Sequence, residues 1–360
     1  MTPARVGDHE WWYFDVAEPH ANCAVKLAAY LGTDVLRRKV VPQLALSART
    51  RTDEIAMVQP LPLEDFTAAR DSCDVRLKGR FHARAQWPAN GKICHVSVDT
   101  EEFKANLTFT RQTQGCRPLG GEVQMAKGKR TAMSLWAIPM PRAEVTGEFC
   151  LRGHKHQFEQ ALGYHDHEYW KVNPSKKLFA DDVVLGWYWG RLFAQTRAII
   201  YRDFYLRGQH ITCLIMALDG TIVHCSNNRI EVQPRDFCQD SELGMPFPRK
   251  ITVRSTDKSL PFRMVLNSRQ ITERRDLLHG VNPLVSWLVK RLVCRPGYLG
   301  MLADATAELG HEQIRGTAVH EMIRFRGNGE RLRLRIDPVR NSLSSNKSLR
   351  AKCTGCLERQ

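Results

Sequence analysis

No stretch of this 360-residue sequence stays apolar for long. A spanning helix needs roughly 20 predominantly apolar residues. The longest candidate, residues 281–302, is interrupted by Asn282, Lys290, Arg291 and Arg295 and broken at Pro296-Gly297. Residues 285–293 read instead as a short amphipathic helix, which either caps a barrel, the commoner arrangement, or touches a membrane surface. Sustained heptads are absent, which excludes a long coiled coil. Glycine-rich phosphate loops, helix-turn-helix patterns and zinc-finger spacings are absent too, which removes the usual grounds for specific nucleic-acid readout. Residues 1–9 are polar and lack the apolar run of a secretory signal.

Carboxylates are outnumbered, with 38 Asp and Glu against 53 Lys and Arg, for a formal net charge of +15. Residues 324–360 hold ten Lys or Arg and three Asp or Glu, so +7 lies in this tail and +8 is spread over the rest. That distribution fits weak, salt-sensitive attraction to anionic surfaces, and no specific nucleic-acid partner is expected. The eleven cysteines are irregularly spaced, which points to free thiols in a reducing cytoplasm. Cys353 and Cys356 form a lone CxxC without the second pair that a zinc site requires.

What the chain does contain is short segments of alternating apolar and polar residues, at 22–31, 75–84, 93–98, 104–109, 198–206, 211–218, 251–254 and 263–266. Alternation of this kind is the period of a half-buried strand. Asn90-Gly91 and Asp219-Gly220 are dipeptides that close hairpins. The reading is an all-β, mostly antiparallel protein. Its length exceeds what one core usually organises, so two related barrels or sandwiches are expected. These are an N-terminal domain over 8–170, a solvent-facing linker over 171–184, a C-terminal domain over 185–326 and a basic, poorly ordered tail over 327–360.

Three aromatic clusters carry the chemistry: Glu10-Trp11-Trp12-Tyr13-Phe14-Asp15, Gly163-Tyr164-His165-Asp166-His167-Glu168-Tyr169-Trp170, and Trp187-Tyr188-Trp189-Gly190-Arg191. Five of the eight tryptophans fall in them, which favours a shared site over scattered core packing. On a regular strand Tyr164, Asp166, Glu168 and Trp170 share one face, and His165, His167 and Tyr169 the other. Trp187, Trp189 and Arg191 likewise share a face, as do Glu10, Trp12 and Phe14. Rings on several strands can line an apolar cavity and stabilise a cation, by roughly 0.5 to 2 kcal/mol each once water is excluded. A carboxyl group buried among them tends to keep its proton near neutral pH, which is what alkene protonation requires. Each feature also has a plainer reading. The tryptophans can be core, the histidines can be satisfied by backbone carbonyls, and Arg191 can form a structural salt bridge with Glu10 or Asp15.

In this order the three clusters resemble the hydroxyneurosporene synthase family, the group of carotenoid 1,2-hydratase and AttH-like proteins, to which tocopherol cyclase and certain fungal Diels-Alderases are distantly similar. The segments Arg295-Pro296-Gly297-Tyr298-Leu299-Gly300 and Gly316-Thr317-Ala318-Val319-His320-Glu321 agree with it, and the likeness covers residues 8–326. The resemblance implies two consecutive lipocalin-like domains with an apolar pocket near their junction, to which the amphipathic stretch over 285–293 adds the short capping helix. It also implies alkene protonation, hydration or cyclisation of a polyprenoid or polyketide chain without a cofactor. Carried onto this chain, it implies Asp166 as the general acid, His165 and His167 as groups that position it or activate water, and Glu10 as a supporting carboxylate. Tyr164, Trp187 and Trp189 become walls, and Trp11, Trp12, Tyr13, Tyr188 and Arg191 complete the candidate lining. Where the family continues with Asn-Trp-Gly, this chain reads Glu168-Tyr169-Trp170. The expected partner is an apolar small molecule, with peripheral membrane contact as a second expectation. The rival readings are a non-catalytic carrier of an apolar ligand and a metal-dependent hydrolase using His165, His167 and Glu168.

Overall fold

The computed structural model describes residues 6–18, 23–34, 39–85, 92–127, 130–172, 184–194, 196–206, 209–278, 282–293 and 295–325. These residues form two curled antiparallel sheets. The first holds β1 (His9–Glu18), β2 (Cys23–Asp34), β3 (Lys39–Arg49), β4 (Glu54–Pro60), β5 (Phe66–Ala68), β6 (Asp74–Leu77), β7 (Phe81–Ala85), β8 (Ile93–Asp99), β9 (Phe103–Arg111), β10 (Glu122–Lys127), β11 (Arg130–Leu151) and β12 (His154–Val172). The second holds β13 (Val184–Ala194), β14 (Arg197–Leu206), β15 (Gln209–Leu218), β16 (Thr221–Asn227), β17 (Ile230–Gln239), β18 (Pro246–Ser255), β19 (Phe262–Asp276), β20 (Gly297–Leu309) and β21 (Glu312–Arg324).

In both sheets the first strand pairs with the last. The orders are β4-β3-β2-β1-β12-β11-β9-β8-β7-β6-β5, with β10 on β11, and β16-β15-β14-β13-β21-β20-β19-β18-β17. The register sets Tyr13 opposite Asp166 and Trp189 opposite Glu321. Gly190 is needed for the second pairing, because a Cβ there would lie 2.7 Å from both the His320 Cβ and the Tyr201 ring. The two half-barrels are the lipocalin-like, all-β architecture expected from the sequence.

Local chemistry accounts for the departures. Residues 75–84 are the hairpin β6–β7 rather than one strand, because Gly79 adopts φ +67° and the Arg80 amide donates to the Leu77 carbonyl at 2.9 Å. The Asp219-Gly220 hairpin is present, with both residues at positive φ, while Asn90-Gly91 lies outside the described residues. β11 shifts register between Ala137 and Ala143, where Pro139 and Pro141 offer no amide to the ladder. Lys171 and Val172 still belong to β12, and the rest of the expected linker, like the tail from 326 on, lies outside the described residues. The helix α1 (Pro283–Leu288) begins with Asn282, whose side-chain oxygen accepts the Leu284 amide at 3.0 Å. It runs on as a π turn over Val289–Val293. No helix among the described residues is long and apolar enough to cross a membrane.

Alternation sorts the side chains. Trp12, Phe14 and Val16 enter the core of the first sheet with Leu27, Leu46, Phe81 and Phe109. Leu192, Tyr201, Leu214, Ile251 and Leu266 fill the second. A third core draws on both, joining Trp136, Ile138 and Tyr164 to Trp189, Phe193, Ile200 and Ile215. The backs of the β1–β12 and β13–β21 pairs therefore meet, and burying their rings holds the two sheets together.

Candidate active site between the sheets

Asp166 sits in this third core, its side chain almost sealed from solvent at 7% exposure. Its Oδ2 accepts hydrogen bonds from the Tyr164 hydroxyl at 2.8 Å and from Trp136 Nε1 at 3.1 Å. Its Oδ1 is buried without a partner. Burial first, and then the charge of Glu168, push the carboxyl up to about 7, against the pull of the two donors. When the group is neutral, the doubly bonded oxygen is Oδ2 and the proton resides on Oδ1, the atom free to give it away.

Three rings pack beside this position: Tyr13 is the strand partner of Asp166, Tyr164 its donor, and Trp189 packs on both. Tyr13, Tyr164 and Trp189 lie edge to face or tilted, with centroids 5.2 to 6.1 Å apart. The Tyr13 hydroxyl and Trp189 Nε1 are buried without hydrogen-bond partners, as is Asp166 Oδ1. Beside them Glu168 accepts from Ser134, Trp170 and Arg202, the last at 2.8 Å. The Arg202 guanidinium stacks over Trp136 and Phe204 at 4.9 and 4.4 Å. Glu168 comes from the first sheet and Arg202 from the second, so this ion pair bridges them. Arg191 pairs with Asp15 in the same manner, with both side chains buried.

A second carboxylate faces the junction from the other sheet. Glu321 accepts from Trp187 Nε1 at 3.0 Å and from the Tyr298 hydroxyl at 2.7 Å. Next to it Glu273 contacts Lys26 at 3.6 Å, the Ser47 hydroxyl at 3.1 Å, and Arg275. Burial opposes the charge on Glu273, but Arg275 and Lys26 hold its carboxyl below the usual range.

Among the residues singled out from sequence, Trp11, Tyr13, Tyr164, Asp166, Trp187, Trp189 and Arg191 lie on the junction side. The others point the opposite way, as period two requires. His165 stacks on Phe14 at 4.1 Å and donates from Nδ1 to the Tyr13 carbonyl, and His167 stacks on Trp12 at 4.6 Å and donates to Glu10 at 2.9 Å. Tyr188 faces the core of the second sheet, edge-on to Tyr205. Glu168 thus stands on the face opposite His165 and His167, which separates the members of the metal-hydrolase constellation. Among the described residues no group of three His, Cys, Asp or Glu side chains is placed to hold a metal ion. Trp136, Arg202 and Glu273 were missed, since each reaches the site from a strand distant from the three clusters; Lys26, on the neighbouring β2, and Tyr298, in the 295–300 segment, carried no signal of a role there. Glu168 and Trp170 had a legible signal, the face they share with Asp166. A polar cavity of about 410 Å³ lies elsewhere, on the outer face of β7–β9 between His82, Arg84, His95 and Asn106, and includes none of these residues.

No protein-family model matches the chain, and no curated protein aligns with it. Solved structures do. The crystal structure of CghA with Sch210972 is 14% identical, covers 88% of each chain and gives a TM-score of 0.61. A putative AttH from Nitrosomonas europaea is 11% identical over 87% of this chain and 91% of that one, with a TM-score of 0.61. Kievitone hydratase from Nectria haematococca is 13% identical over 88% of both, with a TM-score of 0.60. At such identities the likeness is one of fold, and this chain shares the two-sheet, lipocalin-like fold of these three proteins along most of its length.

Proposed function

We propose that the chain is a cofactor-independent hydratase or cyclase that protonates an alkene of an apolar, isoprenoid-like substrate at the junction of its two sheets. The observation that carries this reading is Asp166, a buried carboxyl pushed up to about 7 with one unpartnered oxygen, beside its strand partner Tyr13 and its hydrogen-bond donor Tyr164, both of which pack on Trp189. In this mechanism Oδ1 gives its proton to one alkene carbon, and the π electrons form the new C–H bond. The cation left on the neighbouring carbon is stabilised by the ring faces. Water then adds and returns a proton to Asp166, or an internal alkene closes a ring and a C–H proton returns. Either route restores the acid. One of the fold relatives is a hydratase by name, which supports the reading at the level of reaction type.

Asp166→Asn tests it. The amide oxygen can still accept from Tyr164 and Trp136, so folding and ligand binding are retained, while turnover falls by about 10²- to 10⁴-fold. Product mass decides between catalysis and carriage. Polyene or terpenoid substrates incubated with the wild-type protein gain one water or return as an isobaric ring, whereas a carrier returns them unchanged. Full turnover in the Asn variant sinks the assignment of Asp166.

A further inference from the structure

Leu284, Trp287 and Leu288 are 66%, 54% and 39% exposed, three of the eight large hydrophobic residues left open to solvent among the described residues, and all three lie within the six residues of α1. Ordinary surfaces scatter such residues singly; a cluster marks a contact. Along the segment itself the charge has one sign. No Asp or Glu occurs between Asp276 and Asp304. Lys290 anchors the base of the segment on Asp276 at 2.5 Å. Arg291 is exposed and stacks over Trp287 at 5.7 Å, and Arg295, also exposed, donates to the Gly244 carbonyl at 2.9 Å.

From this arrangement we infer that the α1 tip docks the protein on an anionic lipid bilayer. Leu284 and Leu288 enter the acyl boundary, Trp287 sits at headgroup level, and Arg291 and Arg295 meet lipid phosphates. A protein groove that accepts a helix reads anchors at i, i+3, i+4 and i+7. Leu284, Trp287 and Leu288 supply the first three, but the fourth position is the charged Arg291 in the π turn, which suits a shallow insertion better than a groove. The tip leads directly into β20, where Tyr298 binds Glu321, so the docked face is the end of the sheet that borders the junction.

Full-length protein is to be sedimented, without substrate, with vesicles of phosphatidylcholine alone and with 30 mol% phosphatidylglycerol, a proportion of about one anionic lipid in three. The wild type is expected to partition onto the anionic vesicles. Leu284→Ser with Trp287→Ser should weaken this by at least about tenfold, and Arg291→Gln or Arg295→Gln by about fivefold each. All four positions are exposed, so an unchanged melting temperature verifies the fold of each variant. Binding by the Leu284/Trp287 variant equal to wild type would overturn the inference and assign attachment to the basic tail. So would a wild type that ignores vesicles but forms a dimer lost in that variant, because the tip would then contact a second copy. Neither readout depends on Asp166, so this inference and the proton-donor reading fail separately.

Discussion

Asp166 and Glu321 occupy corresponding places in the two sheets. Each lies on the last strand, opposite an aromatic residue of the first strand, and each faces the junction. Their surroundings differ. Asp166 has one oxygen doubly hydrogen-bonded and one bare, no cation in contact, and the negative Glu168 close by. Glu321 is half-buried, and each of its oxygens holds a donor, Trp187 or Tyr298. The same pairing geometry therefore leaves one carboxyl with a bare oxygen and the other with a donor on each oxygen. What separates them is the set of neighbours each meets, not position in the topology: burial and the charge of Glu168 act on Asp166, and two donors hold Glu321.

The strongest way to break this contrast is kinetic. Asp166→Asn should lower turnover by about 10²- to 10⁴-fold, and loss of the same size in Glu321→Gln would make the two carboxylates equivalent. Next comes the buried ion pair of Glu168 and Arg202 beside Asp166. Arg202→Met strands a buried carboxylate and should cost about 3–5 kcal/mol of stability at neutral pH, read from the urea midpoint. Adding Glu168→Gln should recover part of it, and a second substitution that recovers nothing argues against the ion pair.

The pH dependence is a finer test. The Asp166 carboxyl is raised in the folded state to about 7, so between about pH 4 and 7 the native protein holds a proton that the unfolded chain releases. Stability from this group is fully present below pH 4 and declines as pH rises through 7. Asp166→Asn exchanges no proton, so its melting temperature should approach wild type at pH 4 and exceed it at pH 8, by at most about 4 kcal/mol in free energy. A gap that stays flat across that range means the carboxyl ionises freely. The smallest expected effect is that of Glu321→Gln, which keeps one acceptor oxygen. It should slow turnover by about tenfold or less, a loss of about 1.4 kcal/mol.

Much of the site was legible because β12 pairs with β1 without a break from Leu162 to Trp170. Alternation alone put Tyr164, Asp166, Glu168 and Trp170 on one face, and the same rule put Trp187, Trp189 and Arg191 together. It also separated His165 and His167 from Asp166, as the structure finds. Arg191 does pair with Asp15, one of the two partners that charge and proximity to the aromatic cluster suggested. Trp136 and Arg202 could not be found this way. They lie on β11 and β14, and nothing in their local sequence distinguishes a residue beside Asp166 from one on an open face. The 75–84 hairpin was missed for a local reason, since Gly79 interrupts an alternation that otherwise continues through it.

Local sequence, then, is enough to determine strands such as 93–98, 104–109 and 211–218, the hairpin at Asp219-Gly220 and the side on which each residue of a regular strand projects, because backbone geometry forces neighbours to opposite faces. Which side meets the other sheet, and so which carboxyl loses its water, was decided only when the two β surfaces packed together. Desolvation depends on atoms brought from remote strands, and Asp166 acquires its proton affinity from them.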